Sequence, residues 1–169
     1  MSVVLKTDRL HLRPPTYADA VPLRSCFGDQ QLMQFWLNGY DATFAATQAR
    51  AEGMITHWQK HGFGDWVVVE ESTQQVIGIC GLHFIEKMTE VNLGYVLQRS
   101  SHKRGYAIEA SRAALEYGLN TMGLGRIVAV IDPANTASRR VAERLEMTQW
   151  KETTWMGQTR VIYSRQLII

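Results

Sequence analysis

Residues 93–110 read LGYVLQRSSHKRGYAIEA, and this stretch decides most of what the sequence predicts about the fold. Its apolar start is typical of a strand and its end of a helix, with a polar, basic loop between them. A loop that opens a helix exposes backbone N–H groups at the positive end of that helix, which suits a phosphate or pyrophosphate. Gly105 lets a ligand approach the backbone closely, while Lys103 and Arg104 add positive charge. A glycine that merely caps the helix is the alternative interpretation.

A second informative stretch, residues 126–147, reads RIVAVIDPANTASRRVAERLEM. Its continuous apolar run predicts a buried strand, and the residues after it predict a helix. Asn135 and Ser138 fall at the start of this helix. The plainer interpretation makes Asn135 only its N-cap and Ser138 a residue of its first turn. Neither stretch contains a GxGxxG or a GxxxxGK[ST] motif, so dinucleotide-binding and Walker-type phosphate sites are not indicated.

Periodicity predicts the remaining elements outward from these two stretches. Thr16 and Asp19 have the spacing of a capping box, which predicts a helix start after a first strand. The order β-α-α-β-β-β-α-β-α-β-β is typical of a mixed α/β protein, and we expect residues 1–169 to form one domain. The further predicted elements are a strand at 9–13, helices at 16–27 and 44–61 (the second ended by Gly62), antiparallel strands at 65–71 and 75–85, a strand at 90–97, and a final strand pair around Met156 and Gly157.

Composition places the chain among ordinary globular proteins: 169 residues, 46% hydrophobic, 20% charged and a formal net charge of +2. That charge is too small to indicate a nucleic-acid partner. No apolar run reaches the roughly 20 residues that span a bilayer, and no secretory signal is apparent, so we expect no membrane partner and a cytoplasmic protein. Cys26 and Cys80 lie far apart, which predicts buried thiols rather than a metal or disulfide framework, and no metal site is expected.

Together, residues 94–110 and 126–147 resemble the GNAT superfamily of N-acetyltransferases. The closest resemblance is to its RimJ/RimL-like branch, the ribosomal-protein N-terminal acetyltransferases. Residues 7–23 (TDRLHLRPPTYADAVPL) are similar to the opening of that branch, and residues 76–82 (VIGICGL) to its third strand. The resemblance therefore covers most of the chain in the right order. It implies a mixed, mostly antiparallel central sheet flanked by helices.

The resemblance also implies a site for acetyl-CoA, the expected co-substrate. The end of the 90–97 strand would pair its backbone with the pantetheine arm, and the loop before the next helix would hold the pyrophosphate. Asn135 would contact the co-substrate, and Ser138 would bind it and act as the acid for the departing thiolate. The strand residues are Tyr95, Val96 and Leu97, with an amide of Val96 or Leu97 as oxyanion donor, and the loop residues are His102, Lys103, Arg104, Gly105, Tyr106 and Ala107.

Five departures from the family pattern bear on these expectations. His102 stands where many members have Gln or Arg. Lys103 stands where this branch usually has glycine, which costs little only if the local φ is negative. Asn92 replaces a carboxylate on the strand, and Ala142 replaces the tyrosine that is the acid in many members. Residues 144–147 (RLEM) lack the usual glycine after the last helix, because Glu146 takes its place.

The proton acceptor is not decided by the sequence. The candidates are His83, Glu86 and Glu90, which flank the 90–97 strand, although the favoured explanation of each is an ordinary exposed residue. Glu109 is expected to complement the helix dipole or to pack rather than to react. The sequence is compatible with an acceptor cleft lined by aromatic residues. Core packing is nevertheless expected for at least half of the candidate residues, which are Met33, Phe35, Trp36, Tyr40 and Trp155.

The sequence thus predicts transfer of an acetyl group from acetyl-CoA to a primary amine, either a protein N-terminus or a small amine. A polyamine or antibiotic acetyltransferase on the same scaffold is one alternative, and a non-catalytic acyl-CoA-binding or sensing domain is another. The sequence does not decide the oligomeric state, and a homodimer is one option.

Overall fold

The computed structural model describes residues 3–86 and 88–167. All the predicted elements are present in the predicted order, and one short strand precedes them. The strands are Leu5–Lys6 (β1), Leu10–Arg13 (β2), Asp65–Glu70 (β3), Gln75–Phe84 (β4), Val91–Leu97 (β5), Arg126–Ile131 (β6), Thr148–Trp155 (β7) and Gln158–Gln166 (β8), and the helices are Ala20–Phe27 (α1), Phe44–His61 (α2), Tyr106–Glu116 (α3) and Thr136–Arg144 (α4). A π-helical turn, Tyr117–Thr121, extends α3.

The strands form one sheet in the order β1-β2-β3-β4-β5-β6-β8-β7. All neighbours are antiparallel except β5 and β6, which confirms the mixed, mostly antiparallel architecture. β5 pairs with β4 from Val91 to Leu97, but with β6 only at Val91 and Asn92. Beyond Asn92 the two parallel strands separate, and the β6-facing edge of β5 has no strand partner in the described part of the chain.

The two faces of the sheet carry separate apolar clusters because successive side chains of a strand point to opposite sides. On β3, Trp66 and Val68 belong to one cluster, which packs against α3 and α4. Val67 and Val69 belong to the other, which packs against α1 and α2. All four side chains are buried, so β3 reads as a continuous apolar run rather than an alternating one. β4 and β5 therefore lie between two helical layers.

Local signals define the helix ends as expected. Thr16 and Asp19 form the predicted capping box, and Gly62 ends α2 with φ 74°. α4 ends in a Schellman motif, in which Met147 N–H donates to Ala142 O and Glu146 N–H donates to Glu143 O, each at 3.0 Å. Glu146 has φ 60°, so it adopts the left-handed conformation of the glycine that it replaces.

Candidate active site

A cleft of about 700 Å³ opens where β5 and β6 separate. β5 forms one wall from Asn92 to Leu97, β6 and the residues after it form the other, and α4 contributes Asn135, Ser138 and Ala142. Asn92 bridges the point of separation, because its Oδ1 accepts a 3.0 Å hydrogen bond from Val130 N–H on β6. The residue that departs from the family's carboxylate is therefore built into the apex of the cleft.

The first turn of α4 presents two of the predicted residues. Asn135 Oδ1 accepts a 3.1 Å hydrogen bond from Ser138 N–H, so Asn135 is the N-cap of the helix. Its Nδ2 donates to no other described residue, and Asn135 lines the cleft. The capping interpretation and the ligand-binding interpretation are therefore compatible, because capping uses Oδ1 and leaves Nδ2.

The Tyr95 hydroxyl lies 3.3 Å from Ser138 Oγ across the cleft. Burial raises the pKa of Tyr95, so its hydroxyl stays protonated at neutral pH and can donate a proton. Ala142, where many family members have their tyrosine, is buried in the α4 wall. The sequence assigned only the backbone of Tyr95 a role; its side-chain position depends on a contact between residues 43 apart, which no local pattern reveals.

In the loop before α3, no side chain of the described residues caps the N-terminus of the helix, whereas α2 and α4 each have a side-chain cap. Gly105, at φ 81°, occupies the N-cap position. Lys103 has φ 60°, so the condition under which a residue other than glycine would cost little here, a negative φ, is not met. His102 Nε2 donates to Leu97 O at 2.8 Å and ties the loop to the end of β5. Of the six predicted loop residues, His102 lines the cleft.

Arg104 and Tyr106 point their side chains away from the cleft, toward the far side of the loop. The Tyr106 hydroxyl donates to Glu70, which also forms a 2.8 Å ion pair with Arg104. These contacts lower the pKa of Glu70 and keep it ionised. Arg9 braces the same loop, donating to Arg104 O at 2.9 Å and pairing with Glu109 at 2.6 Å. At Arg104 and Tyr106 the loop therefore offers a ligand backbone N–H groups rather than side chains.

His83, on β4, lies at the apex of the cleft beside Asn92. Its Nδ1 is 3.0 Å from Asp65 Oδ1 and its Nε2 is 3.2 Å from Asn92 Nδ2. Among the other candidate bases, Glu86 is exposed on the cleft rim, whereas Glu90 is absent from the cleft lining and pairs with its neighbour Thr89. Asp65, the carboxylate partner of His83, was not identified from the sequence.

Residues 31–38, after α1, and the β7–β8 hairpin form the opposite rim of the cleft. Phe35, Trp36 and Trp155 line it, while Met33 is buried in the core and Tyr40 is exposed. The expectation that at least half of these five residues pack in the core is therefore wrong. A smaller cavity of about 210 Å³ adjoins the cleft, and Trp36 and His83 line both.

Some features are independent of the cleft. Cys26 and Cys80 are free and buried, as predicted, and burial raises the pKa of Cys80 to about 12. Within residues 3–86 and 88–167, no helix is long and apolar enough to cross a membrane. No three His, Cys, Asp or Glu side chains gather as a metal-binding group in that same part of the chain.

Comparison with known proteins identifies this arrangement. The family of the acetyltransferase (GNAT) domain matches residues 9–148. The uncharacterized protein YkkB of Bacillus subtilis (strain 168) is 32% identical over 167 residues, 96% of this chain and 95% of YkkB. The uncharacterized N-acetyltransferase YnaD of the same organism is 42% identical over 145 residues, 85% of this chain and 81% of YnaD. RimL, a ribosomal L7/L12 α-N-protein acetyltransferase, in complex with coenzyme A, superposes with a TM-score of 0.82 at 18% identity, covering 98% of both chains.

The chain belongs to the GNAT acetyltransferase family, and it shares its fold with RimL. It is an acetyl-CoA-dependent acetyltransferase. The cleft fits that co-substrate. Among residues 3–86 and 88–167, no strand pairs with the β6-facing edge of β5 after Asn92, no side chain caps α3, and none accepts from the Asn135 amide group. An unpaired strand edge suits the amides of a pantetheine arm, and an uncapped helix N-terminus suits a pyrophosphate.

Proposed function

We propose that this enzyme transfers the acetyl group of acetyl-CoA directly to a primary amine, which is either a protein N-terminus or a small amine. The observation that carries the proposal is the cleft at the β5–β6 separation. It joins a surface suited to the co-substrate with an open, aromatic rim on the other side, formed by residues 31–38 and the β7–β8 hairpin. An amine that enters over this rim reaches the Tyr95–Ser138 pair at the centre.

The residues that would hold acetyl-CoA are Tyr95, Val96 and Leu97 on the edge of β5, the loop from His102 to Ala107, and Asn135. Bound acetyl-CoA supplies an activated acetyl thioester at the cleft centre. The amide N–H of Val96 or Leu97 would stabilise the negative charge that develops on the acetyl oxygen, a contribution worth roughly 3–4 kcal/mol in comparable sites. The loop backbone and α3 would neutralise part of the phosphate charge.

Two proton transfers accompany the reaction. The acceptor must lose one proton to become a neutral amine, because a lysine-type amine has a pKa of about 10.4 and an α-amine about 7.7–8.0. The departing sulfur takes up another, and with a thiol pKa of about 8.5 it needs only a weak acid. The Tyr95 hydroxyl and Ser138 Oγ, 3.3 Å apart, would supply this acid as a pair.

Two measurements test the proposal. Acetyl-CoA should raise the melting temperature, since a ligand that binds only the folded state stabilises it. CoA release should then be followed with a panel of amines: an N-terminal peptide, an arylalkylamine, spermidine and an aminoglycoside. Absence of a thermal shift would contradict acetyl-CoA binding at this cleft. A shift without CoA release from any amine would instead support the acyl-CoA-sensing alternative. A preference for spermidine or the aminoglycoside would identify a polyamine or antibiotic acetyltransferase.

A further inference from the structure

The loop before α3 alternates the sign of φ at three successive residues. Lys103 has φ 60° and Gly105 has φ 81°, whereas Arg104 between them has a negative φ. Such alternation turns successive N–H groups toward one side and forms a concavity that suits an anion. The amide groups of these three residues donate to no acceptor among residues 3–86 and 88–167. How well the loop receives a phosphate therefore depends on what holds this short stretch of backbone in place.

Arg9, just before β2, holds the middle of this loop. Its Nη1 donates to Arg104 O at 2.9 Å, across 95 positions of the sequence. Glu109, in the first turn of α3, fixes the rest of the guanidinium: Nε donates to Glu109 Oε2 at 2.8 Å, and Nη2 lies 2.6 Å from the same oxygen. The backbone N–H of Arg9 donates to Glu109 Oε1 at 2.9 Å. One side chain thus connects the loop backbone to the helix that follows it.

The packing of the guanidinium adds to these hydrogen bonds. Its central carbon lies 4.6 Å from the centroid of the Tyr106 ring. A Cβ added at Gly105 would lie 3.4 Å from Arg9 Nη2, so the guanidinium also lies against the loop backbone at that residue. A planar group with donors on several sides can make all these contacts at once, whereas the single ammonium of a lysine cannot.

Arg9 also compensates a negative charge close to the expected phosphate position. Burial raises the pKa of Glu109, but hydrogen bonds from Thr7 and Arg9 outweigh burial and lower it, so Glu109 is ionised at neutral pH. A carboxylate in the first turn of a helix draws on the same dipole as an incoming phosphate and repels that phosphate. Because Arg9 pairs with Glu109, the phosphate meets a neutral pair instead.

We propose that Arg9 is a positioning residue for the co-substrate, which holds the loop amides in the conformation that receives the pyrophosphate of acetyl-CoA. The inference rests on the co-substrate site of the proposed function and adds to it a residue from the N-terminal strand pair. Arg9 contacts none of the reacting atoms. It acts on the nucleotide half of acetyl-CoA, and not on the pantetheine arm that would lie along β5.

A truncated acetyl donor separates the two halves of the co-substrate. S-acetylpantetheine has the same thioester and arm as acetyl-CoA but lacks the pyrophosphate and the nucleotide. In Arg9→Gln, the Kd for CoA, measured by titration calorimetry, should rise about 10- to 100-fold, because hydrogen bonds of a charged group are lost. The kcat/KM for acetyl-CoA should fall by a similar factor, whereas the kcat/KM for S-acetylpantetheine with the same amine should stay at the wild-type value.

Two further variants separate position from charge and from general stability. Arg9→Lys keeps the positive charge but loses the multidirectional contact, so its Kd for CoA should still rise, by about 3- to 10-fold. Arg13→Gln is the matched control, because Arg13 lies on β2 close to Arg9 and pairs with Asp19 instead of Glu109. Arg13→Gln should lower the melting temperature and leave the Kd for CoA unchanged.

Several results would overturn the inference. These are a wild-type Kd for CoA in Arg9→Gln, an equal loss of kcat/KM with both acetyl donors, and an Arg9→Lys variant that binds CoA as the wild type does. The ratio of the two kcat/KM values does not depend on the folded fraction, and Arg9→Lys supplies the same ratio if Arg9→Gln does not fold. Failure of the wild type to bind CoA would instead contradict the proposed function itself.

Discussion

The hydroxyl oxygens of Tyr95 and Ser138 lie 3.3 Å apart, and this contact joins the open edge of β5 to the first turn of α4. It is the only side-chain hydrogen bond recorded between those two elements in the part of the chain that the structure describes. The tyrosine commonly supplied by the helix in this family is absent at Ala142, yet a tyrosine hydroxyl still reaches the cleft, from the strand instead.

Tyr95→Phe should lower kcat about 10-fold or more while changing the KM for acetyl-CoA less, because it removes a proton donor but keeps the ring. Ser138→Ala should have a smaller effect if the two hydroxyls act as a pair. Steady-state kinetics of both single variants and the double variant measure their coupling. Tyr163→Phe is the control, since the Tyr163 hydroxyl contacts Arg139 and Glu143 rather than the Tyr95–Ser138 pair. Full additivity of the two changes would contradict paired action.

Glu146→Gly should raise the melting temperature. The residue has φ 60° at the end of α4, a conformation that costs a residue with a Cβ roughly 1–2 kcal/mol. The greater backbone freedom of glycine in the unfolded chain offsets about 0.5–1 kcal/mol of this gain. A rise of about 1–3 °C is expected for a chain of this size. Glu146→Ala controls for the lost charge, whose 3.4 Å pair with Arg165 is exposed, and should give no rise.

Lys103→Gly separates backbone strain from charge in the loop before α3. Because Lys103 also has φ 60°, the glycine variant should be more stable than Lys103→Ala by about 1 kcal/mol. Both variants lose the same positive charge, so both should bind acetyl-CoA more weakly by a similar factor. Thermal melts and acetyl-CoA titrations of the two variants check this. Equal melting temperatures would mean that the loop relaxes around the alanine.

Asp19 should contribute to stability at neutral pH and lose that contribution in acid. Burial raises the pKa of Asp19, but hydrogen bonds from Arg13 and Thr16 outweigh burial, and its pKa lies below the ordinary value. A carboxyl group whose pKa is lowered on folding stabilises the protein above its unfolded pKa of about 3.9, and this stabilisation is lost as the pH falls through the folded value. Asp19→Asn should therefore melt lower than the wild type at pH 7, and the difference should shrink below about pH 4. A constant difference would contradict the assignment.

The order of elements was predictable because each carries a local signal. The alternation of Leu10 and Leu12 marks a strand, the Thr16–Asp19 pair a helix start and Gly62 a helix end, and all three appear in the structure as expected. β1 was missed, because two residues are too few for a period to show.

The chemistry of the site was less predictable, because it depends on contacts between distant residues. The Tyr95–Ser138 and His83–Asp65 contacts connect residues 43 and 18 apart, and each requires the sheet to be assembled first. Backbone conformation was equally hidden: nothing in the residue types of Lys103 or Glu146 indicates a positive φ. What the family resemblance provided was the location of the cleft, and what the structure adds is how the side chains are arranged around it.

The separation of β5 from β6 after Asn92 has a consequence for cooperativity. Only two residue pairs among the described residues connect the β1–β5 half of the sheet to the β6–β8 half. Bound acetyl-CoA would add hydrogen bonds along the edge of β5 and so strengthen the connection between the two halves. Amide groups on the edge of β5 should then exchange with deuterium more slowly in the complex than in the free enzyme. The co-substrate would then take the place beside β5 that a neighbouring strand takes elsewhere in the sheet.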